Sequence, residues 1–382
     1  MIHPDFKFFR ATGMMIGAII GVGVFGIPYA FAKSGVVIGF LELIVLGFMM
    51  MILQFMFAEV ALQTKGKHRL VGYVELYLGR VWKYVAVAAV CASSWGALLA
   101  YMIIGGSFLH LLVGSVFGGT VAMYSFIIAI ITSVLIYSGL KQASRLEVFV
   151  ILSMLFLFVF MILLSAPHVQ MANLQTVHWK NVFLPYGIIL FALSSVGIVP
   201  EMKEVLGSRA RSHLGQTILI GMITVLALYI LFSVSIVGVT GEHTTPVAFD
   251  GLIPLFGNAF RYVTALLGTL TIVSISVMLG IQLMNTFHVD FHFSRKIAWA
   301  LTVFVPIALF VFGFREFVNL IGFVGSLFGG LLGILIVAMY LRLKQKDVCR
   351  SHHCLNFPNT LSWVVLFVFL LGIIFKLFQF LL

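Results

Sequence analysis

Gly21-Val22-Gly23-Val24-Phe25-Gly26-Ile27-Pro28 interrupts the first apolar segment of the chain, which runs from about Phe8 to Ala32. A segment of that length spans a bilayer, for which about 20 apolar residues suffice. Glycine costs about 1 kcal/mol and proline about 3 kcal/mol in a helix interior. Lipid holds no water to satisfy the backbone groups that such a break frees. An unwound stretch at that depth survives only where protein buries it or where it lines a cavity. The plainer alternative is a proline kink, which membrane helices tolerate.

The rest of the chain fits a membrane setting. It is 62% hydrophobic and 9% charged, with a mean hydropathy of +1.16. No soluble domain hides that much apolar surface, so the class is a polytopic all-α membrane protein. Eleven spans are expected, at about 8–34, 37–63, 83–113, 120–139, 146–166, 183–205, 214–240, 259–288, 296–313, 316–343 and 358–381. No polar stretch is long enough for a separate domain, so residues 1–382 read as one transmembrane unit. The first apolar run is too long for a cleavable signal peptide.

The net charge of +11 follows topology rather than nucleic-acid binding. With the N-terminus inside, 18 of the 23 lysines and arginines fall on inner loops and edges. The positive-inside rule then sets a cytoplasmic N-terminus and an outer C-terminus in the cell's inner membrane. The basic inner face also suits anionic lipid. Among the three cysteines, Cys91 lies inside a span, while Cys349 and Cys354 flank His352 and His353. Two thiols and two imidazoles have zinc-ligand chemistry, but the spacing matches no standard finger. A reduced, solvated loop is the expected reading, and neither a metal nor a cofactor is assigned.

The break in the first span has a counterpart in the sixth, where Ser194, Ser195, Gly197 and Pro200 interrupt Phe183 to Glu204. Serine bonds nearby backbone in competition with the helix, and Pro200 disfavours a helical residue before it. The two segments lie an odd number of spans apart, so they enter from opposite sides. Residues of about 8–166 and 183–343 can thus form an inverted repeat, with 358–381 as an extra helix. Paired interruptions at corresponding positions point to a site near the midplane of a secondary transporter. Arg69–Gly79 is expected as a short helix on the inner surface, with Leu70, Val74, Tyr77 and Leu78 on one face. The Thr240–Phe256 loop is expected to cap an outer vestibule. Gly325, Gly329 and Gly333 in the tenth span form a small-residue stripe, read as close helix packing.

The run GAIIGVGVFGIPYA, Gly17 to Ala30, resembles the first-helix signature of the amino acid–polyamine–organocation superfamily, which has the LeuT-type fold. With Pro200-Glu201-Met202-Lys203-Glu204, it is most similar to the aromatic and hydrophobic amino acid permease branch. The resemblance implies a 5+5 inverted repeat with discontinuous helices 1 and 6. It also implies ion-coupled amino acid transport by alternating access. The motifs of LeuT-fold metal transporters are absent from spans 1 and 6, which argues against a divalent-cation carrier.

The resemblance and the physics of helix ends agree on the site. An outer half-helix carries positive dipole character at its N-terminal end, so a carboxylate docks there without a cationic side chain. The amides of Val22 and Gly23 are expected to hold the substrate carboxylate, with Gly21 allowing close approach. The carbonyl of Ile19 is expected to accept from the ammonium. By alignment Phe191 is an aromatic gate, with Ala192, Ser194 and Ser195 beside it, and Tyr101 reaches toward the carboxylate.

For a coupling ion, the resemblance offers the carbonyls of Gly17 and Ile20 and the span-8 hydroxyls of Thr271 and Ser274. An oxygen cage of that kind suits a hard cation. Sodium and a proton both remain open as the ion. Glu59 and Glu201, near inner ends of spans, are candidates for gate salt bridges or a proton relay. No charged side chain lies at midplane depth in spans 1, 3, 6, 8 or 10. A charged substrate side chain would be uncompensated there, so the expected partner is a neutral amino acid, apolar or aromatic. No phosphate-binding loop Gly-x-x-x-x-Gly-Lys-[Ser/Thr] occurs, and no covalent chemistry is expected. The rival readings are an amino-acid-sensing receptor of the same fold, like a germinant receptor, and an ion-only carrier or channel.

Overall fold

The computed structural model describes residues 4–139, 143–345 and 357–381. The Cys349, His352, His353 and Cys354 group lies outside the described residues. Among those described, the regular structure is helical. The chain opens with α1 (Pro4–Ile19), a 3₁₀ turn (Val22–Phe25) and α2 (Gly26–Ser34). These continue into α3 (Val36–Gln63), α4 (Leu70–Leu78), α5 (Arg80–Phe117), α6 (Val121–Ser138) and α7 (Ala143–Ser165). A short α8 (Met171–Leu174) precedes α9 (Leu184–Ala192), a 3₁₀ turn (Val196–Ile198) and α10 (Val199–Leu206). Then come α11 (Ala210–Thr240), α12 (Ile253–Asn285) and α13 (Arg295–Val311). The chain ends with α14 (Phe317–Val324), a π turn (Gly325–Gly329), α15 (Gly330–Gln345) and α16 (Asn359–Leu381).

Seven helical stretches among the described residues are long and apolar enough to cross a membrane. Residues Phe6–Ile19 and Val22–Ser34 qualify together as a further span, bent by 53° at the break. Every stretch expected as a span carries a helix or a broken pair of helices among the described residues.

Neither proline does the breaking. Pro28 sits in the first turn of α2 and Pro200 is the second residue of α10. Their missing N–H groups are not needed there, and their fixed φ suits a helix start. The true interruptions lie upstream, at Ile20–Gly21 and at Leu193–Ser195. Each proline launches the outgoing half-helix.

Helix α11 packs on α1, α2, α3, α7 and α10, while α5 packs on α6 and α12. The buried faces merge into one apolar core. Helix α4 is wedged between α5 and α15. Its fully buried tyrosine is Tyr73, on the face that holds Leu70 and Val74. Lys203 donates to the carbonyls of Ala61 (2.5 Å) and Thr64 (3.1 Å), so its charge sits at the negative end of α3.

Gly35 alone joins α2 to α3 with φ 90°, a conformation that glycine adopts without strain. The loop after α7 closes over this turn through His178 N–H to the Ser34 carbonyl (2.8 Å). The loop between α11 and α12 turns inward at Ala248, whose φ of 59° is in the left-handed region. That conformation costs about 1–2 kcal/mol for a non-glycine residue. It drives Phe249 into the core, where its ring centroid lies 5.0 Å from Phe25, 5.4 Å from Phe108 and 6.3 Å from Phe232. The loop expected over an outer vestibule thus contributes an aromatic ring to the core.

Candidate functional site

The hydrogen-bond ladder of α1 ends with Ile20 N–H to the Ile16 carbonyl (2.9 Å), leaving the carbonyls from Gly17 onward past the last rung. Gly21 is extended, with φ −134° and ψ −163°. The 3₁₀ turn then starts with Val24 N–H to the Gly21 carbonyl at 3.4 Å. The amides of Val22 and Gly23 therefore stand outside the turn's own pattern. They lie at the N-terminal end of the turn and α2, where N–H groups lack intrahelical acceptors and the dipole is positive.

The second break mirrors this arrangement. Helix α9 closes with Leu193 N–H to Ile189 (2.9 Å) and Ser194 N–H to Phe191 (3.2 Å). Ser195 leaves helical geometry at φ −145° and ψ 22°. The next turn starts with Ile198 N–H to the Ser195 carbonyl at 3.1 Å.

The two breaks touch. A Cβ added at Gly23 would lie 2.7 Å from Ala192 Cα and 2.9 Å from both Ala192 Cβ and Phe191 Cδ1. A Cβ at Gly21 would lie 3.3 Å from the Tyr101 hydroxyl. Of the residues expected from the sequence, Ile19, Gly21, Val22, Gly23, Phe191, Ala192 and Tyr101 thus gather at one centre. Ser195 is buried at the second break and bonded to α3, and Ser194 is half-buried beside it.

Two further residues tie the centre together. Tyr229 of α11, fully buried, donates its hydroxyl toward the Ile19 carbonyl (3.0 Å) and the Ala192 carbonyl (3.2 Å). Gln54 of α3, also fully buried, donates Nε2 to Ser195 Oγ at 2.9 Å. Its Oε1 is buried without a hydrogen-bond partner. Both residues sit in apolar runs where no spacing marks them. The available signal is polarity alone, since a phenol or amide deep in lipid needs a partner.

The hydroxyls of α12 expected to bind an ion differ in their bonding. Thr269, Ser274 and Ser276 each donate to the carbonyl four residues back, at 2.7, 2.9 and 2.6 Å. Thr271 Oγ1 is buried with no partner. Its helix, α12, packs chiefly on α5, α6 and α7. Glu59 is buried at 1% exposure and accepts from Gln63 Nε2 at 2.8 Å. Glu201 is exposed. Its neighbour Glu204 pairs with Lys67 at 2.8 Å. Lys203, between the two glutamates, is committed to the α3 carbonyls. Ser94, which shares a helix face with Tyr101, bonds back to Val90 at 2.8 Å.

Residues 5–379 match the tryptophan/tyrosine permease family. A curated relative, tyrosine-specific transport system 1 of Haemophilus influenzae, is 22% identical over 359 residues, covering 88% of each chain. Among solved structures, the fold resembles MhsT in complex with L-phenylalanine, with a TM-score of 0.67 at 17% identity over 97% of both chains. A manganese transporter of Eremococcus coleocola matches at a TM-score of 0.66 and 12% identity, covering 96% of this chain and 85% of the other. The LeuT-type fold expected from the first-span signature is the fold of these neighbours.

Proposed function

The chain belongs to the tryptophan/tyrosine permease family, and on that premise we propose an ion-coupled secondary transporter that carries a neutral aromatic or apolar amino acid by alternating access. One observation carries this reading. Two interrupted helices pack break to break, with the Val22 and Gly23 amides outside any helical ladder at a positive half-helix end. Those amides hold the substrate carboxylate, and Gly21 lets it approach. The Ile19 carbonyl, which keeps a second lone pair beside its bond to Tyr229, accepts from the ammonium. Tyr101, Phe191, Ala192, Ser194 and Ser195 line the centre. The curated relative is a tyrosine transport system, which makes tyrosine the first substrate to try.

The topology that goes with this function is a single eleven-span unit of the cytoplasmic membrane, N-terminus inside and C-terminus outside. Spans 1–5 and 6–10 form the inverted repeat. The coupling ion sits at the Gly17 and Ile20 carbonyls with the Thr271 hydroxyl, and Ser274 completes the set on rotation away from its own helix. Glu59 and Glu201 belong to the inner gate.

Uptake of labelled tyrosine, tryptophan, phenylalanine and leucine into proteoliposomes tests this, with sodium and proton gradients imposed separately. Gradient-driven, saturable accumulation is expected. Binding without accumulation, or ion flux indifferent to amino acids, would overturn the reading. The unpaired hydroxyl supplies a sharper test. Thr271→Val keeps the shape and removes the oxygen. It is expected to leave Tm unchanged and to raise the driving ion's half-saturating concentration at least about tenfold, the scale of losing one bond to a charged group. Equal ion dependence in variant and wild type would remove Thr271 from the ion site.

Gln54 supports the second break. Gln54→Leu loses the bond to Ser195, worth about 1 kcal/mol, but also removes a buried unpaired Oε1, whose cost is about 1–3 kcal/mol. Tm in detergent is therefore expected to hold or rise slightly, while uptake falls several-fold as Ser195 is released. A fall in Tm with normal uptake would make Gln54 a packing residue only.

A further inference from the structure

We propose that Tyr229 is a positioning residue that couples the two breaks, so that the ends of α1 and α9 keep one spacing through the transport cycle. This rests on the reading of the centre as the substrate site. Ile19 and Ala192 are the last residues of α1 and α9. Two helix C-terminal ends, each partially negative, converge at one point. Their carbonyls repel unless a proton stands between them.

The Tyr229 hydroxyl supplies that proton and reaches both carbonyls, at 3.0 and 3.2 Å. A hydroxyl has a single proton, so the bond is shared. Displacing either helix end alone weakens its half, and no water is at hand to replace it, because the tyrosine is fully buried. The phenol is carried on α11, which packs against α1, α2 and α10 and so backs both broken spans. Gly23 in contact with Ala192 closes the other side of the same junction. The pair of breaks is thereby fastened at two points, one steric and one hydrogen-bonded. The Ile19 carbonyl can hold this bond and accept from a ligand's ammonium on its second lone pair.

The test uses full-length protein in proteoliposomes and in detergent. Tyr229→Phe removes one oxygen and keeps the ring. The expected result is a KM for tyrosine raised at least about tenfold, with a smaller loss in maximal rate. Amide hydrogen exchange should quicken together in the segments around 19–25 and 192–198. Phe232→Leu, on the same helix and equally buried, perturbs packing alone and should leave both segments at the wild-type rate. Wild-type KM and exchange in Tyr229→Phe would overturn the proposal, as would quickened exchange in one segment only. If Tyr229→Phe does not fold, the wild-type protein decides: the two segments should open at a common rate, and independent opening rates refute the coupling. Absence of any amino acid uptake by the wild type would instead sink the transport reading and leave the exchange arms to judge the coupling.

Discussion

Gly23→Ala is expected to abolish uptake while leaving the helices assembled. The added methyl would lie 2.7 Å from Ala192 Cα and 2.9 Å from Ala192 Cβ and Phe191 Cδ1. A phenyl ring can turn aside, but a Cα cannot move without its helix. Overpacking of this kind costs about 1–3 kcal/mol in ordinary cores. Here the strain is relieved by parting the two breaks, because both are already free of helical hydrogen bonds. The amides of Val22 and Gly23 then no longer face the second break at their native spacing. Val22→Ala gives the opposite signature. Its side chain is fully buried, so truncation leaves a cavity and lowers Tm, yet the amide is untouched and uptake should persist. The pair is read by Tm in detergent and tyrosine uptake in proteoliposomes. Uptake retained in Gly23→Ala would show that the contact between the breaks is not needed for transport.

That contrast also marks what a linear reading reaches. Glycine and proline content exposes the breaks, because both residues act through backbone conformation, which is local. The extents of the long helices follow from hydropathy for the same reason. Even so, the prolines mislead by a few residues: Pro28 and Pro200 start half-helices, and the unwinding sits just before them. The side chains that join the breaks are a different matter. Tyr229 and Gln54 reach residues 210 and 141 positions away, and nothing in their neighbours announces a partner. Alternation and helical period say which face a residue lies on, not which polar group meets it. The span-8 hydroxyls show the same limit from the other side. Four are equivalent in sequence, and three are absorbed by their own helix, leaving Thr271 as the one with an unpaired hydroxyl.

Gly325→Ala is expected to prevent stable assembly, whereas Gly329→Ala, one turn on in the same stripe, should be harmless. A Cβ at Gly325 would collide with the Gly187 carbonyl oxygen and lie 2.6 Å from Phe191 N, both backbone atoms. A Cβ at Gly187 would in turn collide with the Gly322 carbonyl oxygen. Helices α9 and α14 therefore cross backbone on backbone, as small residues permit in membranes. Neither side has a rotamer to give, so the cost should exceed the usual 1–3 kcal/mol or so of overpacking. It falls on the helix that presents Phe191 and Ala192 to the first break. Nothing lies within 4 Å of the corresponding position at Gly329, while that at Gly333 meets the Phe369 ring of α16 at 2.6 Å. The stripe read as one packing face is thus two contacts separated by an open position, because the π turn at Gly325–Gly329 rotates the residues of α15 relative to α14. Yield of folded protein and Tm in detergent should rank Gly329→Ala with wild type, Gly333→Ala below it and Gly325→Ala lowest. Equal behaviour of the three would mean that the close crossing of α9 and α14 does not hold the second break in place.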